Sequence, residues 1–204
     1  MNGVEKLYKD KEEKGIAKLM KFHITEDEAK FYNLRAYCNG EHIMAVSKGD
    51  FVKLYVDGVL MMSDTDMEKR TNYDFVKNAY GDVMIAGLGI GLILDNLRDK
   101  IKSKEVTSIT IYEKYQDVID LVSPYFKDLP ITYKCEDILQ YKPKKDEKYD
   151  TIYFDIWPSI DYDNNLPEIR MLHNRWKSHK KSKDSWMNSW MKEFMQAQRK
   201  KDNY

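Results

Sequence analysis

The sequence predicts an α/β fold: a short parallel sheet flanked by helices and preceded by a small antiparallel β segment. Three observations carry this. Val83 to Ala86 is an apolar run of strand length that stops at Gly87-Leu88-Gly89-Ile90-Gly91, three glycines at alternate positions. Twenty-two residues past Gly91, a second strand-like run ends in an acid, Glu113. Between Val83 and Asp155 strand and helix patterns alternate, the rhythm of parallel strands joined by right-handed crossovers.

Taken in order, the first twenty residues, rich in Lys and Glu with scattered Val4, Leu7, Tyr8, Ile16 and Leu19, read as a short helix or loose arm. From Lys21 to Ser63 the spacing turns to strand length, with Gly40, Gly49 and Gly58 as turn residues, and Phe51 to Val56 and Val59 to Met62 flank Asp57-Gly58 as a hairpin. Residues 64 to 80 carry helix features, with Asp64 as N-cap and Phe75 and Val76 toward a core. The glycine loop leads into a helix whose buried face is Ile93, Leu94, Leu97 and Ile101. Val106 to Tyr112 is the next strand, Tyr115 to Val122 a helix closed by Pro124, Ile131 to Cys135 a third strand and Tyr149 to Phe154 a fourth.

After Asp155 the pattern predicts only helices, over 166–178 and 184–200. The last carries Trp186, Trp190, Phe194, Met187, Met191 and Met195 at four-residue spacing, a stripe expected at a core or subunit face. The chain thus divides into an arm and β-hairpin segment (1–63), a central α/β core (64–155) and a C-terminal helical segment (156–204). Four strands leave an edge beside the fourth that helices or a second subunit must cover, so a homo-oligomer is expected.

Charged residues make up 33% and apolar ones 42%, a soluble globular composition. No window of eighteen apolar residues occurs, and the opening Met1 to Lys6 lacks the apolar core of a secretory signal, so neither membrane span nor export is expected. Cys38 and Cys135 stand apart without metal-ligand spacing, which predicts reduced thiols in a cytoplasmic protein and no metal site. Lys plus Arg equals Asp plus Glu at 34 each, so no net field attracts nucleic acid. The basic run Arg175, Lys177, Lys180, Lys181, Lys183 reads as a solvated loop, Arg199 to Lys201 as a frayed tail, and His173 and His179 as surface residues.

A glycine loop at a strand end, before a helix and with an acid ending the next strand, describes a nucleoside-binding, Rossmann-like domain. Glycines let a ligand approach the backbone, a helix N-terminus favours an anionic group, and the acid meets ribose hydroxyls. Leu92 stands where a dinucleotide loop places its third glycine. This GxGxG spacing, Glu113 and the pair Glu136-Asp137 after the third strand resemble the class I S-adenosylmethionine-dependent methyltransferases. The resemblance implies S-adenosylmethionine as cofactor, with Gly87, Gly89 and Gly91 under its methionine part, Glu113 on the ribose and Asp137 on the adenine amine. Leu88, Lys114, Ile138, Asp155 and Trp157 complete the expected cofactor set. Glu113 as a solvent-facing strand end, Asp155 as a helix cap and Trp157 as core are the plain alternatives.

Residues 50 to 155 are also similar to the polyamine aminopropyltransferases, the spermidine synthase family, in the hairpin Leu54 to Gly58, then Ser63-Asp64-Thr65-Asp66, then a helix running into Val83 to Gly89. That resemblance implies decarboxylated S-adenosylmethionine and an amine. The family's catalytic segment departs here: after Asp155 the chain reads Ile156-Trp157-Pro158, with Pro158 in place of the base, Met61 for a Gln, and Arg70 and Asn72 for a Tyr and a Glu. Asp155 and Asp161 are the candidate catalytic acids, with Asp161 or Asp163 replacing the base if the loop folds back. Three readings stay open: methyl transfer to a small molecule, an aminopropyltransferase variant, and a protein that binds or degrades S-adenosylmethionine without an acceptor.

Overall fold

Backbone pairing in the computed structural model, which describes residues 1–202, divides the strands into two sheets. The N-terminal sheet is antiparallel, in the order β1 (Lys11–Lys14), β2 (Ala17–Ile24), β3 (Gly49–Val56), β4 (Val59–Ser63). Asp57 and Gly58 both take positive φ between β3 and β4, the twist that a two-residue hairpin requires. The expected N-terminal arm is instead the hairpin β1–β2, because every residue of β2 finds a partner on β3 and Ala17 and Leu19 alternate into the core. Lys18 between them and Lys21 beyond hide that alternation from a sequence reading.

A helix, α1 (Glu26–Cys38), interrupts the stretch expected to be all strand. Its start is a capping box: the Thr25 hydroxyl accepts from Glu28 N–H, and the Glu28 carboxylate accepts from Thr25 N–H at 2.8 Å. The helix was hard to foresee because Phe31, Leu34 and Tyr37 are exposed, leaving no apolar stripe to read. Two short helices follow, α2 (Asp66–Thr71) and α3 (Tyr73–Asn78), with Phe75 buried.

The second sheet is parallel throughout, in the order β7 (Ile131–Cys135), β6 (Val106–Glu113), β5 (Gly81–Ala86), β8 (Thr151–Phe154), β9 (Trp186–Ser189). The first strand in sequence lies at the centre and the order reverses beside it, so a crevice opens at the carboxyl ends of β5, β6 and β8. Helices α4 (Leu92–Asn96), α5 (Arg98–Lys102), α6 (Gln116–Val122), α7 (Tyr162–Trp176) and α8 (Lys192–Asp202) make the connections and the C-terminal cover. α6 touches β6 and β7 and also β1 and β2. Leu19 and Leu54 of the first sheet share one core with Ile85 and Ile111 of the second. Among the described residues no helix is long and apolar enough to cross a membrane.

The fifth strand corrects the expectation of an all-helical C-terminal segment. Trp186 to Ser189 runs in register with Thr151 to Phe154, and Met191, at φ +53°, separates it from α8. Over four residues a two-residue and a four-residue period are indistinguishable, and the unpaired edge of β8 decided between them. The edge expected to be covered by helices or a second subunit is paired by a strand of the chain itself.

Asp64 does not cap α2; Thr65 holds that position. Asp64 is fully buried and its carboxylate accepts from the N–H groups of Val4 (2.8 Å), Glu5 (3.0 Å) and Val52 (2.7 Å). Burial raises this carboxyl above the usual range, against the pull of those donors. With Tyr8 Oη donating to the Ile90 carbonyl at 2.7 Å, the clamp holds the N-terminal segment against the glycine loop. Asp64→Ala strands these donors, each costing about 1–3 kcal/mol when left unsatisfied. Urea unfolding will show a loss of about 3 kcal/mol or more, with faster amide exchange at Val4 and Val52.

Candidate functional site

β5 ends at Ala86, and the chain turns through Gly87, Gly89 and Gly91 at φ +96°, +52° and +70°. Where a side chain would stand on each of these glycines the space is taken by protein, while Gly87 and Gly89 still border the cavity described below. A Cβ on Gly87 would overlap the Asp155 carbonyl oxygen, on Gly89 the Met62 thioether, and on Gly91 the Phe126 ring. The Met62 Sδ also accepts from Ile90 N–H at 3.3 Å, so one donor of the loop is occupied by β4. Glycine is required here by the close approach of β8 and β4 and by the left-handed backbone.

Glu113, at the end of β6, points into this loop. Its Oε2 accepts from Leu88 N–H and its Oε1 from Tyr115 N–H, both at 2.9 Å. The residue is 8% exposed, which removes its reading as a solvent-facing strand end. Burial raises its carboxyl above the ordinary value, opposed by the hydrogen bonds from Leu88, Tyr115 and Lys114. Two oxygens offer about four acceptor positions, so capacity beyond these bonds remains for a hydroxyl.

A cavity of about 430 Å³ lies at the carboxyl ends of β5, β6 and β8, within the usual size of small-molecule sites. Nine of the ten predicted cofactor residues line it: Gly87, Leu88, Gly89, Glu113, Lys114, Asp137, Ile138, Asp155 and Trp157. Gly91 does not; it sits behind the loop against Phe126. Lys114 Nζ lies 3.3 Å from Asp137 Oδ2, and Asp137 Oδ1 accepts from Leu139 N–H at 3.0 Å. Arg175, expected in a solvated basic loop, clamps this wall by donating from Nη1 to the carbonyls of Ile138, Leu139 and Tyr141 at 2.9–3.0 Å.

Asp161 lies outside the cavity. Its carboxylate caps α7, accepting from the N–H groups of Asp163 and Asn164 and from the Asn164 amide, and these bonds hold it below the usual carboxylate range. The loop does not fold back, and Asp163 lies within the same capped turn. His173 and His179 are not free surface groups either. His173 Nε2 lies 2.8 Å from Ser189 Oγ, and burial pushes it down to about 4; His179 Nδ1 is 2.7 Å from the Glu147 carbonyl.

The group the sequence did not single out is Glu68. It stands on α2 among Asp66, Lys69 and Arg70, where an acid reads as part of a solvated helix face, yet it is 7% exposed and lines the cavity beside Asp155. Asp155 is half-buried and lines the cavity. Burial pushes Asp155 up to about 7, against a hydrogen bond from Asn72, whose Oδ1 in turn accepts from Tyr153 Oη at 3.0 Å. Burial, then the Asp155 charge, push Glu68 up to about 8. Trp157 and Trp190 close this end, their Nε1 groups donating outward to Glu168 Oε2 (2.7 Å) and Thr71 Oγ1 (3.0 Å).

No protein-family model and no curated protein matches the sequence. Solved structures are similar at low identity. A S-adenosylmethionine-dependent methyltransferase from Clostridium acetobutylicum is 18% identical over 56% of this chain and 44% of its own, with a TM-score of 0.37. One from Leishmania major is 14% identical over 61% and 48%, with a TM-score of 0.44. A Rhodobacter sphaeroides protein assigned to the Zn-dependent alcohol dehydrogenases is 21% identical over 42% and 33%, with a TM-score of 0.32. The chain spans less than half the length of each.

A carboxyl raised from an ordinary 4.5 to about 8 keeps its proton in the folded protein where the unfolded chain has lost it. Folding therefore takes up a proton across that window, and stability falls as pH rises through it. Glu68→Gln removes this contribution. The variant's thermal midpoint will stand above the parent's at pH 8 and close to it at pH 5; an unchanged difference between the two pH values refutes the assignment.

Proposed function

We propose that this chain binds S-adenosylmethionine and transfers its methyl group to a small molecule. The observation that carries the reading is the excess of acidic side chains lining the cavity, of which Glu68 holds its proton at neutrality while the cavity is empty. Asp57, Glu68, Glu113, Glu136, Asp137 and Asp155 line it against one cation, Lys114, which is already paired with Asp137. A crevice with this excess of acid suits a cationic sulfonium and rejects the pyrophosphate of a dinucleotide. The Ile90 N–H that a phosphate would use is engaged by Met62.

In this reading Glu113 holds the ribose while bracing the loop, and Asp137 and Ile138 border the adenine. Asp155 lies toward the sulfonium, and Trp157 walls the reacting end. The bound cofactor supplies an electrophilic methyl carbon. The chain's part is to exclude water and align an acceptor in line with that carbon, which methyl transfer needs more than a metal or a strong base.

A second reading, aminopropyl transfer from decarboxylated S-adenosylmethionine, is favoured by one observation. Met62 caps a loop donor where a terminal carboxylate would bind, and Glu68 and Asp155 face the space beyond it. An ammonium without a carboxylate fits that end better than an amino acid.

Calorimetry tests the reading directly. S-adenosylhomocysteine will bind the purified chain at least about a hundredfold tighter than NAD, a difference of about 2.8 kcal/mol. Glu113→Gln will weaken that binding about tenfold and lower the thermal midpoint, since one backbone N–H loses its acceptor. No heat and no thermal shift with either adenosyl compound refutes the proposal. A preference for the decarboxylated cofactor moves the assignment to the second reading.

A further inference from the structure

The balance of 34 acidic and 34 basic residues hides an uneven distribution. Acids gather round the cavity at the carboxyl ends of the parallel strands. At the opposite end lie the loops that lead into β8 and β9. One carries Lys142, Lys144, Lys145 and Lys148, the other Lys177, Lys180 and Lys183. These loops are far apart in sequence and adjacent in the fold: Tyr149 N–H donates to the His179 carbonyl and Lys181 N–H to the Tyr149 carbonyl, both at 2.9 Å. The Lys148 ammonium reaches across to the Ser178 carbonyl. The basic run therefore rides on a fixed backbone and not on a frayed loop.

Little nearby neutralises it. Lys181 is spent on Asp82 and Asp150, but the lysines just named form no ion pair among the described residues. Glu147 is turned inward, paired with Lys134 and accepting from Tyr141 Oη at 2.8 Å. Asp146 and Asp184 are the acids left exposed on the two loops. Neighbouring strands lie about 4.8 Å apart and charges act together over about 8 Å at physiological salt, so the loops present one positive field. Self-repulsion in such a field is relieved by an external anion.

We propose that this basic end of the sheet binds the phosphate backbone of a nucleic-acid duplex. Ammonium groups spread over two loops suit a row of anions, and a duplex carries one charge about every 1.7 Å. Lysines act as point charges without the fork that reads bases, so the contacts are to phosphate and independent of sequence. Neither loop exposes a large apolar or aromatic side chain, and Tyr149 and Trp176 beside them are buried. Bases of a single strand find nothing to stack on, and a membrane finds no apolar wedge. The duplex lies at the end of the sheet away from the cavity, so it is a partner and not the methyl acceptor. The inference does not rest on the adenosyl reading.

Fluorescence anisotropy tests it, with labelled 20-base-pair DNA and RNA duplexes, a 20-nucleotide single strand and vesicles containing anionic lipid. Both duplexes will bind the full chain with a Kd of about 10⁻⁴ to 10⁻⁶ M near physiological salt, and log affinity will fall against log salt with a slope of about −3 to −5, as about four or five phosphate contacts require. Replacing Lys144, Lys145 and Lys183 together with Gln will weaken duplex binding at least about tenfold and make that slope shallower by about 2 or more. Replacing Lys6, Lys9 and Lys48 with Gln changes net charge equally and will alter affinity less than about threefold. Equal losses in the two triple variants overturn the proposal, as does tighter binding of the single strand or of the vesicles than of either duplex. Should the first triple variant fail to fold, the salt slope of the parent chain decides, and a value shallower than about −1 overturns the proposal.

Discussion

The structure depends on one buried carboxylate. Glu113 accepts from Leu88 in the loop after β5 and from Tyr115 at the start of α6, and so ties the ends of two neighbouring strands into one rigid corner. Remove it and the loop has no fixed distance from β6, because the glycines that allow its close approach to Asp155 and Met62 also allow many other paths. A charge held by backbone donors is a stronger brace than packing could offer at a cavity rim, where one side must stay open.

That brace explains why the first sheet matters to the site. β4 brings Met62 onto Gly89 and the Ile90 N–H, Asp64 anchors residues 4 and 5, and Tyr8 reaches the Ile90 carbonyl. The antiparallel segment is therefore a wall of the cavity and not an appendage. It also delivers α2 and the Asn72 that follows it, so that Glu68 and Asn72 sit against Asp155. The result is one crevice lined by the glycine loop and Glu113 together with Glu68, Asp155, Trp157 and Trp190.

Much of the parallel core was legible because its signals are local. The apolar run at Val83, the alternate glycines and the acid at 113 each sit on one element, and period and punctuation place them. Their convergence on one cavity follows from strand order, which alternation of strand and helix already implies. What each glycine is for was not legible. Gly91 serves Phe126 thirty-five residues away, and no spacing rule connects the two.

Glu68, α1 and β9 were hidden for three different reasons. Glu68 lies in a run of charged residues whose burial only tertiary contact creates. α1 exposes its aromatic residues, so period failed and only the Thr25–Glu28 cap marked it. β9 is four residues whose conformation was decided by an unpaired sheet edge. The sequence by itself determined the α/β order, the glycine turn and the acid that braces it, because these are properties of neighbouring residues. Only the tertiary structure decided which acids lose their water and which side chains fill the space beside the glycines, since both depend on what distant parts of the chain bring alongside.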